Sequence, residues 1–353
     1  MRVLYFGTYE RRYPRNAQVI SALRGAGVEV VERHEPVWEG QEEKWSLGPG
    51  AALRLARAEA RLLRKRGPTA DTVIVGYPGH FDLLAARRAA RGKPLIFNPL
   101  VSLADSLVDD RGRFKPGSLP ARVLRRIDRS AFRRADLVVA DTDAHADFLA
   151  EATGVSRDRF RVCLVGAEER VFRPGWKPEE PFTALFVGKL IPLHGLETIL
   201  EAARRTPELR VRVAGSGQLG HLLAGRPANV EWIPWIDYER LPAELHRASC
   251  AFGIFGISAK AQRVIPNKAF QALACGVPLI TADTPAAREL LADGETALLV
   301  PPGDPDALAE ALHRLAAEPE TARRIADAGQ AVYRERASEE VLGRRWRAIV
   351  EEA

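Results

Sequence analysis

Residues 264–278 read VIPNKAFQALACGVP and run directly into Leu279-Ile280-Thr281. Pro266 and Asn267 mark a helix start, and Gly276 with Pro278 stops the helix and opens a strand. Asn267 is placed to cap the helix. The free backbone N–H groups of a first turn sum to a positive pole, and Lys268 adds a full charge there. These residue types in this order make a phosphate site. Gln271 falls one turn on, on the face of Asn267. A plain capped helix between two strands would look the same, so the segment needs support from its surroundings.

The same strand–helix unit recurs in both directions along the 353 residues. Short apolar runs at 2–6, 28–31, 72–75, 94–97, 137–140 and 160–164 predict six strands. Runs at 183–187, 210–214, 230–232, 250–254, 279–281 and 297–300 predict six more. Apolar spacing of three and four between them predicts helices at 16–24, 81–91, 120–134, 198–205 and 308–315. Alternation of this kind implies α/β architecture with parallel sheets. The polar, Pro-rich stretch 166–181 divides the strands evenly. It sets domains at 1–166 and 167–335, facing each other across a cleft. A final helix in 336–353 carries Leu342, Trp346 and Ile349 on one stripe, with the first domain as a docking surface.

A second anion site is expected where the second domain begins. Phe186-Val-Gly-Lys-Leu-Ile-Pro-Leu-His-Gly195 follows a strand and precedes a helix. A glycine turn at Gly188 lets a ligand approach the backbone, and Lys189 and His194 bring donors to the helix start at Gly195. Gly215-Ser-Gly217 follows the next strand. It lacks the third glycine of a dinucleotide fingerprint, which argues against a dehydrogenase.

Linker and second domain, residues 165–299, resemble the retaining glycosyltransferases of family 4, also called group 1. The resemblance rests on Gly166…Phe172-Arg-Pro174, Val187-Gly-Lys-Leu…His194-Gly-Leu-Glu-Thr-Ile, Val213-Ala-Gly-Ser-Gly217, and Pro266 through Pro278. It implies the glycosyltransferase B fold, that is, two Rossmann-like domains, the first for acceptor and the second for a nucleoside diphosphate sugar. It also implies metal-independent transfer with retention of anomeric configuration and no resident cofactor. Gly188, Lys189, His194, Gly195, Gly215, Arg263, Asn267, Lys268 and Gln271 are the donor-side residues it selects. The family's two glutamates, eight positions apart, are replaced by Arg263 and Gln271. Gln271 accepts from ribose hydroxyls with one amide oxygen and no full charge. A guanidinium at 263 suits a donor sugar bearing a carboxylate; contact with the diphosphate or with solvent fits it equally.

The first domain is less informative. Loops leaving its strands carry Arg11, Arg12 and Arg15, then His80, then Asn98. Arg11, Arg15, His80 and Asn98 are candidate acceptor contacts, and Asp105, shortly after Asn98, joins Lys189 and Lys268 as a catalytic candidate. Asp141-Thr-Asp143 has the look of a metal-binding pair, but capping of the helix from Asp143 by Thr142 or Asp141 explains it.

The net charge of +6 lies in residues 1–170, the remainder being slightly acidic. An anionic or lipid-linked acceptor, or a membrane surface, would meet such a half; solvated arginines on helix faces explain it as well. The stretch 51–66 aligns Leu53, Ala56, Ala60 and Leu63 beside Arg54, Arg57, Arg61, Arg64 and Lys65. That is the pattern of a helix lying on an anionic membrane, or of a surface helix with arginine stems over apolar neighbours. Three widely spaced cysteines and the absence of a leader or a long apolar run point to the cytoplasm, with the inner membrane face as a place of peripheral contact. Nucleic acid is not expected as a partner. Glycoconjugate or cell-envelope synthesis is the expected setting. Two other functions share these features: a sugar-nucleotide epimerase or hydrolase, and a non-catalytic nucleotide-sugar-binding partner.

Overall fold

A computed structural model describes residues 1–11, 13–38, 49–64 and 67–353. Arg12 and Lys65 of the sequence reading lie outside the described residues. The chain forms two compact units, Met1–Leu164 with Glu339–Ala353, and Val165–Ser338.

In the first unit the order is β1 (Arg2–Gly7), α1 (Pro14–Gly25), β2 (Glu29–His34), α2 (Pro49–Arg64), β3 (Thr72–Val75), α3 (Leu83–Ala90) and β4 (Leu95–Phe97). A π-helical turn at Asp105–Asp110 leads to α4 (Leu119–Arg134), β5 (Leu137–Ala140), α5 (Asp143–Thr153) and β6 (Phe160–Val162). The six strands are parallel in the order β2-β1-β3-β4-β5-β6. Helices cover both faces, so β3 and β4 are buried throughout, as continuous apolar runs require.

The second unit runs β7 (Thr183–Val187), α6 (Leu196–Arg205), β8 (Arg210–Ala214), β9 (Val230–Ile233), α7 (Leu241–Arg247), β10 (Cys250–Phe252), α8 (Asn267–Cys275), β11 (Leu279–Ala282), α9 (Pro285–Arg288), β12 (Leu298–Val300), α10 (Pro305–Ala317) and α11 (Pro319–Arg336). Its parallel order is β12-β11-β10-β7-β8-β9. The chain starts at the centre, winds out through β8 and β9, and returns to wind the other way from β10. Loops leaving β7 and β10 therefore part from each other, and a ligand fits beyond the carboxyl ends at that switch point. In the first unit the switch falls between β1 and β3.

The last helix, α12 (Glu339–Glu352), belongs to the first unit. Leu342, Trp346 and Ile349 join Val3, Tyr5, Val19 and Leu23 in one core on the α1 side of the sheet. The opposite face holds Leu62 of α2, Leu83 and Ala86 of α3, Phe132 of α4 and Leu149 of α5. On α2 the buried positions are Leu55, Ala58 and Leu62, while Leu53, Ala56 and Ala60 face outward and Leu63 is half-buried. The stripe that the sequence singled out is thus α2's outer side. Cys163, Cys250 and Cys275 are buried and free.

Candidate functional site

In the second unit the loop leaving β7 carries Gly188 at φ 149°. A Cβ there would lie 2.9 Å from Lys268 Nζ and 3.4 Å from His194 Cε1. Three residues chosen from separate stretches of sequence thus meet at one point. Gly215 closes the same corner: a Cβ on it would sit 1.9 Å from the Gly188 carbonyl oxygen. Only a residue without a side chain lets the β7 and β8 loops touch, and the Gly188 N–H donates to the Ala214 carbonyl at 2.9 Å. Without a side chain, Gly188 lets Lys268 and His194 approach its backbone.

The electrostatics of this corner are one-sided. Lys268 is half-buried along its stem, and its Nζ is enclosed with no hydrogen-bond partner. The ammonium lies 3.8 Å from the centroid of the Phe186 ring, a cation–π contact. Burial pushes its pKa well below the usual lysine value, because a charge taken out of water without a counter-charge is disfavoured. His194 packs its ring edge on Phe186 at 5.6 Å, and its Nδ1 is bonded to the Lys189 carbonyl. That contact fixes the ring beside Gly188. The Lys189 side chain is exposed on the same loop.

Two helix starts add to the positive field. The N-cap of α6 is Gly195, and that of α8 is Pro266; neither start has a capping side chain. By contrast Thr284 caps α9 and Asp304 caps α10. The helices that follow the two switch-point strands are thus left open to an anion. Asn267 does not cap α8: it is the first helical residue, and the extended Pro266 (φ −72°, ψ 149°) holds the cap position. A residue already in helical geometry cannot turn its side chain back onto the first turn's N–H groups.

Gln271 is buried one turn into α8. The Tyr238 hydroxyl lies near it, and burial, followed by the charge of Glu168, raises that hydroxyl's pKa, while Gln271 lowers it. Arg263 sits on the turn Ala261–Arg263, half-buried, its N–H donating to the Lys260 carbonyl at 3.0 Å. Sequence reasoning missed Phe186 and Tyr238. The signal for Phe186 was available: an aromatic two residues before a glycine turn, at an inward position of β7.

The candidate acceptor residues of the first unit are mostly internal. Arg15 and Asn98, placed at the acceptor, are 1% and 0% exposed. Arg15 Nε donates to Asn98 Oδ1 at 3.0 Å, and its Nη1 donates to the carbonyls of Cys163 and Leu164 at 3.0 and 2.9 Å. Its guanidinium lies 5.6 Å from the Trp346 ring centroid. It ties α1, β4, the end of β6 and α12 together. His80 is likewise internal: its Nε2 is 3.0 Å from the Val101 carbonyl oxygen and 3.5 Å from Asp128 Oδ1. Asp105 is 2% exposed, and its backbone N–H donates to Ser102 Oγ. Arg11 remains at the surface, paired with Glu32 at 3.0 Å. These bonds tie the first four side chains into the fold in this conformation, although Arg15 Nη2 and Asn98 Nδ2 are buried without a partner.

Two acidic clusters stand at the carboxyl edge of this unit's sheet. Asp82 accepts from Thr8 N at 2.7 Å, and burial and this neighbour push the Glu59 carboxyl up to about 10. Asp141 orients His145 through Nδ1 at 2.5 Å, and His145 Nε2 is buried without a partner. Thr142 Oγ1 caps α5 by accepting from His145 N at 3.0 Å, and Asp143 pairs with Arg157 at 2.6 Å. Among the described residues no group of His, Cys, Asp and Glu could hold a metal ion.

The two parallel sheets, each wound by helices, define an α/β architecture of the glycosyltransferase B class. The model of the family described as "Glycosyl transferases group 1" matches residues 167–332, and that of "Glycosyl transferase 4-like domain" matches residues 1–166. The chain belongs to the group 1 glycosyltransferases. It is 30% identical over 283 residues to a D-inositol 3-phosphate glycosyltransferase of Nocardia farcinica, covering 70% of this chain and 61% of that one. A relative of the same description from Kribbella flavida is 26% identical, with 77% and 69% covered. For the three relatives from Nocardia farcinica, Thermobifida fusca and Rhodococcus jostii, the match spans only 61%, 50% and 54% of their length. Among solved structures, a sucrose-phosphate synthase from Thermosynechococcus elongatus aligns with a TM-score of 0.75 at 16% identity, covering 99% and 98% of the chains. HepE of Anabaena in complex with UDP-glucose aligns at 0.70 and 15% over the full length of both.

Proposed function

We propose that the chain transfers a glycosyl group from a nucleoside diphosphate sugar, held by the second unit, to a hydroxyl of an acceptor held by the first. The observation that supports this most is the enclosed Lys268 ammonium, without a partner, against Gly188, beside His194 and the open start of α8. A diphosphate supplies the counter-charge that this corner lacks. Lys268, Lys189 on the adjoining loop and the two helix starts would stabilise negative charge as the anomeric carbon–oxygen bond breaks. The acceptor oxygen bonds to that carbon, and its proton passes to the departing phosphate oxygen. Attack on the face the phosphate leaves retains the anomeric configuration. No step calls for a metal ion, because lysines and backbone N–H groups do the work of charge neutralisation. Gln271 and the nearby Tyr238 hydroxyl would meet the ribose or sugar hydroxyls, and Arg263 lies three residues before the Pro266 cap.

HepE is described with UDP-glucose, which makes UDP-glucose the first donor to try. A thermal-shift series with UDP, GDP, ADP and their glucose conjugates tests the reading. Ligand at a hundred times its dissociation constant adds about 2.7 kcal/mol of stability. Stabilisation of the wild type and its loss in Lys268→Met are expected; a wild type indifferent to every nucleotide sinks the proposal.

A further inference from the structure

Four of the exposed large apolar side chains of the first unit lie on α2, α3 and α4. Leu53 on α2 is 51% exposed, Leu84 on α3 60%, and Leu119 and Val123 on α4 72% and 47%. The three helices lie side by side on the same face of the sheet and contribute to one core. Each follows a parallel strand and runs back against it, so their N-terminal turns lie along the carboxyl edge of the sheet. All four apolar residues fall in the first two turns of their helices. They therefore form a row along the edge where ligands of such sheets bind.

Behind the row stands a stripe of positive charge. On α4, Arg122, Arg126, Arg129 and Arg133 recur at spacings of four, three and four, which places them on one helix face. All four are exposed, and no ion pair joins them to another described residue. The buried side of α4 is Ala121, Asp128, Ala131 and Phe132, so the arginine face points away from the core. On the same helix Arg125, off this face, is paired with Asp109. Leucines leading an uncompensated arginine stripe match a bilayer with anionic headgroups: the leucines enter the boundary of the acyl chains and the guanidinium groups meet phosphates.

We propose that the outer face of α2, α3 and α4, led by Leu53, Leu84, Leu119 and Val123, docks on an anionic lipid bilayer. This surface sits beside the edge where the first unit would take its acceptor, so an acceptor carried on a lipid would arrive from the membrane side. That last clause rests on the transfer reaction proposed above; the docking itself does not.

Flotation of the full chain with vesicles tests it. Binding is expected to phosphatidylcholine vesicles containing phosphatidylglycerol, with little to phosphatidylcholine alone, and with release as salt rises. Replacing three arginines together (Arg122→Gln, Arg126→Gln, Arg129→Gln) should weaken partition roughly a hundredfold. Leu119→Glu alone should weaken it several-fold. Thermal stabilisation by nucleotide should be unchanged in both variants, which separates loss of docking from loss of fold and from failure of the donor site. A wild type that ignores phosphatidylglycerol, or a triple variant that floats like the wild type, overturns the proposal. So does Leu119→Glu floating normally while the arginine variant does not, which would assign the stripe to a soluble polyanion.

Discussion

The two units each have six parallel strands and helices on both faces, yet they hold their most deeply enclosed cations differently. In the first unit Arg15 is as deeply buried as any leucine and spends its Nε and Nη1 on Asn98 and two carbonyls. In the second, Lys268 Nζ is enclosed and has nothing to bond. Arg15 fastens the unit through Nε and Nη1, with Nη2 and Asn98 Nδ2 left buried without a partner, whereas Lys268 Nζ makes no hydrogen bond at all and, at a switch point, is a place prepared for an anion. Position on the fold does not separate the two cases, since both stand near the carboxyl edge of a sheet. What separates them is that the chain provides acceptors for Nε and Nη1 of Arg15 and none for Lys268 Nζ.

The contrast can be broken most forcefully at Arg15. Arg15→Leu leaves Asn98 Oδ1 and two carbonyls without their donor, and should cost about 3–5 kcal/mol of stability, as removal of one partner from a buried charged network does. Urea or thermal unfolding measures it, and a loss below about 1 kcal/mol would mean that Arg15 fastens nothing. Lys268→Met should behave in the opposite sense. Turnover should fall by the equivalent of about 2.7–4 kcal/mol, while the ligand-free protein keeps its stability, because an uncompensated buried amine is removed. Equal turnover in mutant and wild type would take Lys268 out of the reaction.

Lys268 also sharpens the comparison through pH. Its pKa is depressed in the free protein, and a bound diphosphate favours the charged form and raises it. Wherever the pH lies above the depressed pKa, binding takes up a proton, and affinity should fall as pH rises through that pKa. Calorimetry of UDP binding in buffers of different ionisation enthalpy should show uptake, and the uptake should vanish in Lys268→Met. A smaller effect is expected at the cap of α5, where Thr142→Ala should destabilise the first unit by about 0.5–2 kcal/mol and leave nucleotide binding alone. The smallest effect is none: with sugar transfer measured, excess chelator should leave the rate unchanged. Loss on chelation with recovery on manganese would reopen Asp141 and Asp143 as ligands.

Much of the donor-side corner was legible in the chain. Glycine turns after strands at Gly188 and Gly215, and a cationic helix start at Lys268, are local features that residue type and spacing express directly. The cap of α8 was misread because Asn267 and Pro266 both suit a helix start, and one residue of register decides which holds the cap. On the acceptor side the sequence reading did not foresee that Arg15, His80, Asn98 and Asp105 are buried. Each is polar and follows a strand, the usual sign of a ligand contact. Their partners, Cys163 and Leu164 for Arg15 and Asp128 for His80, lie 148, 149 and 48 positions away along the chain.

By itself, then, the sequence determined the period of its strands and helices, their division between two parallel-sheet domains and the residue types of the phosphate corner. Those properties depend on neighbours within a few positions, where dihedral preference and hydrophobic spacing act. Only the tertiary structure decided that α12 completes the first unit's core, that α2 turns its leucine and alanine stripe outward, that Arg15 is a fastener and that Lys268 stands without a partner. Each of these is a matter of burial and hydrogen-bond satisfaction between residues far apart in the chain, and no local pattern records which distant carbonyl a guanidinium will reach.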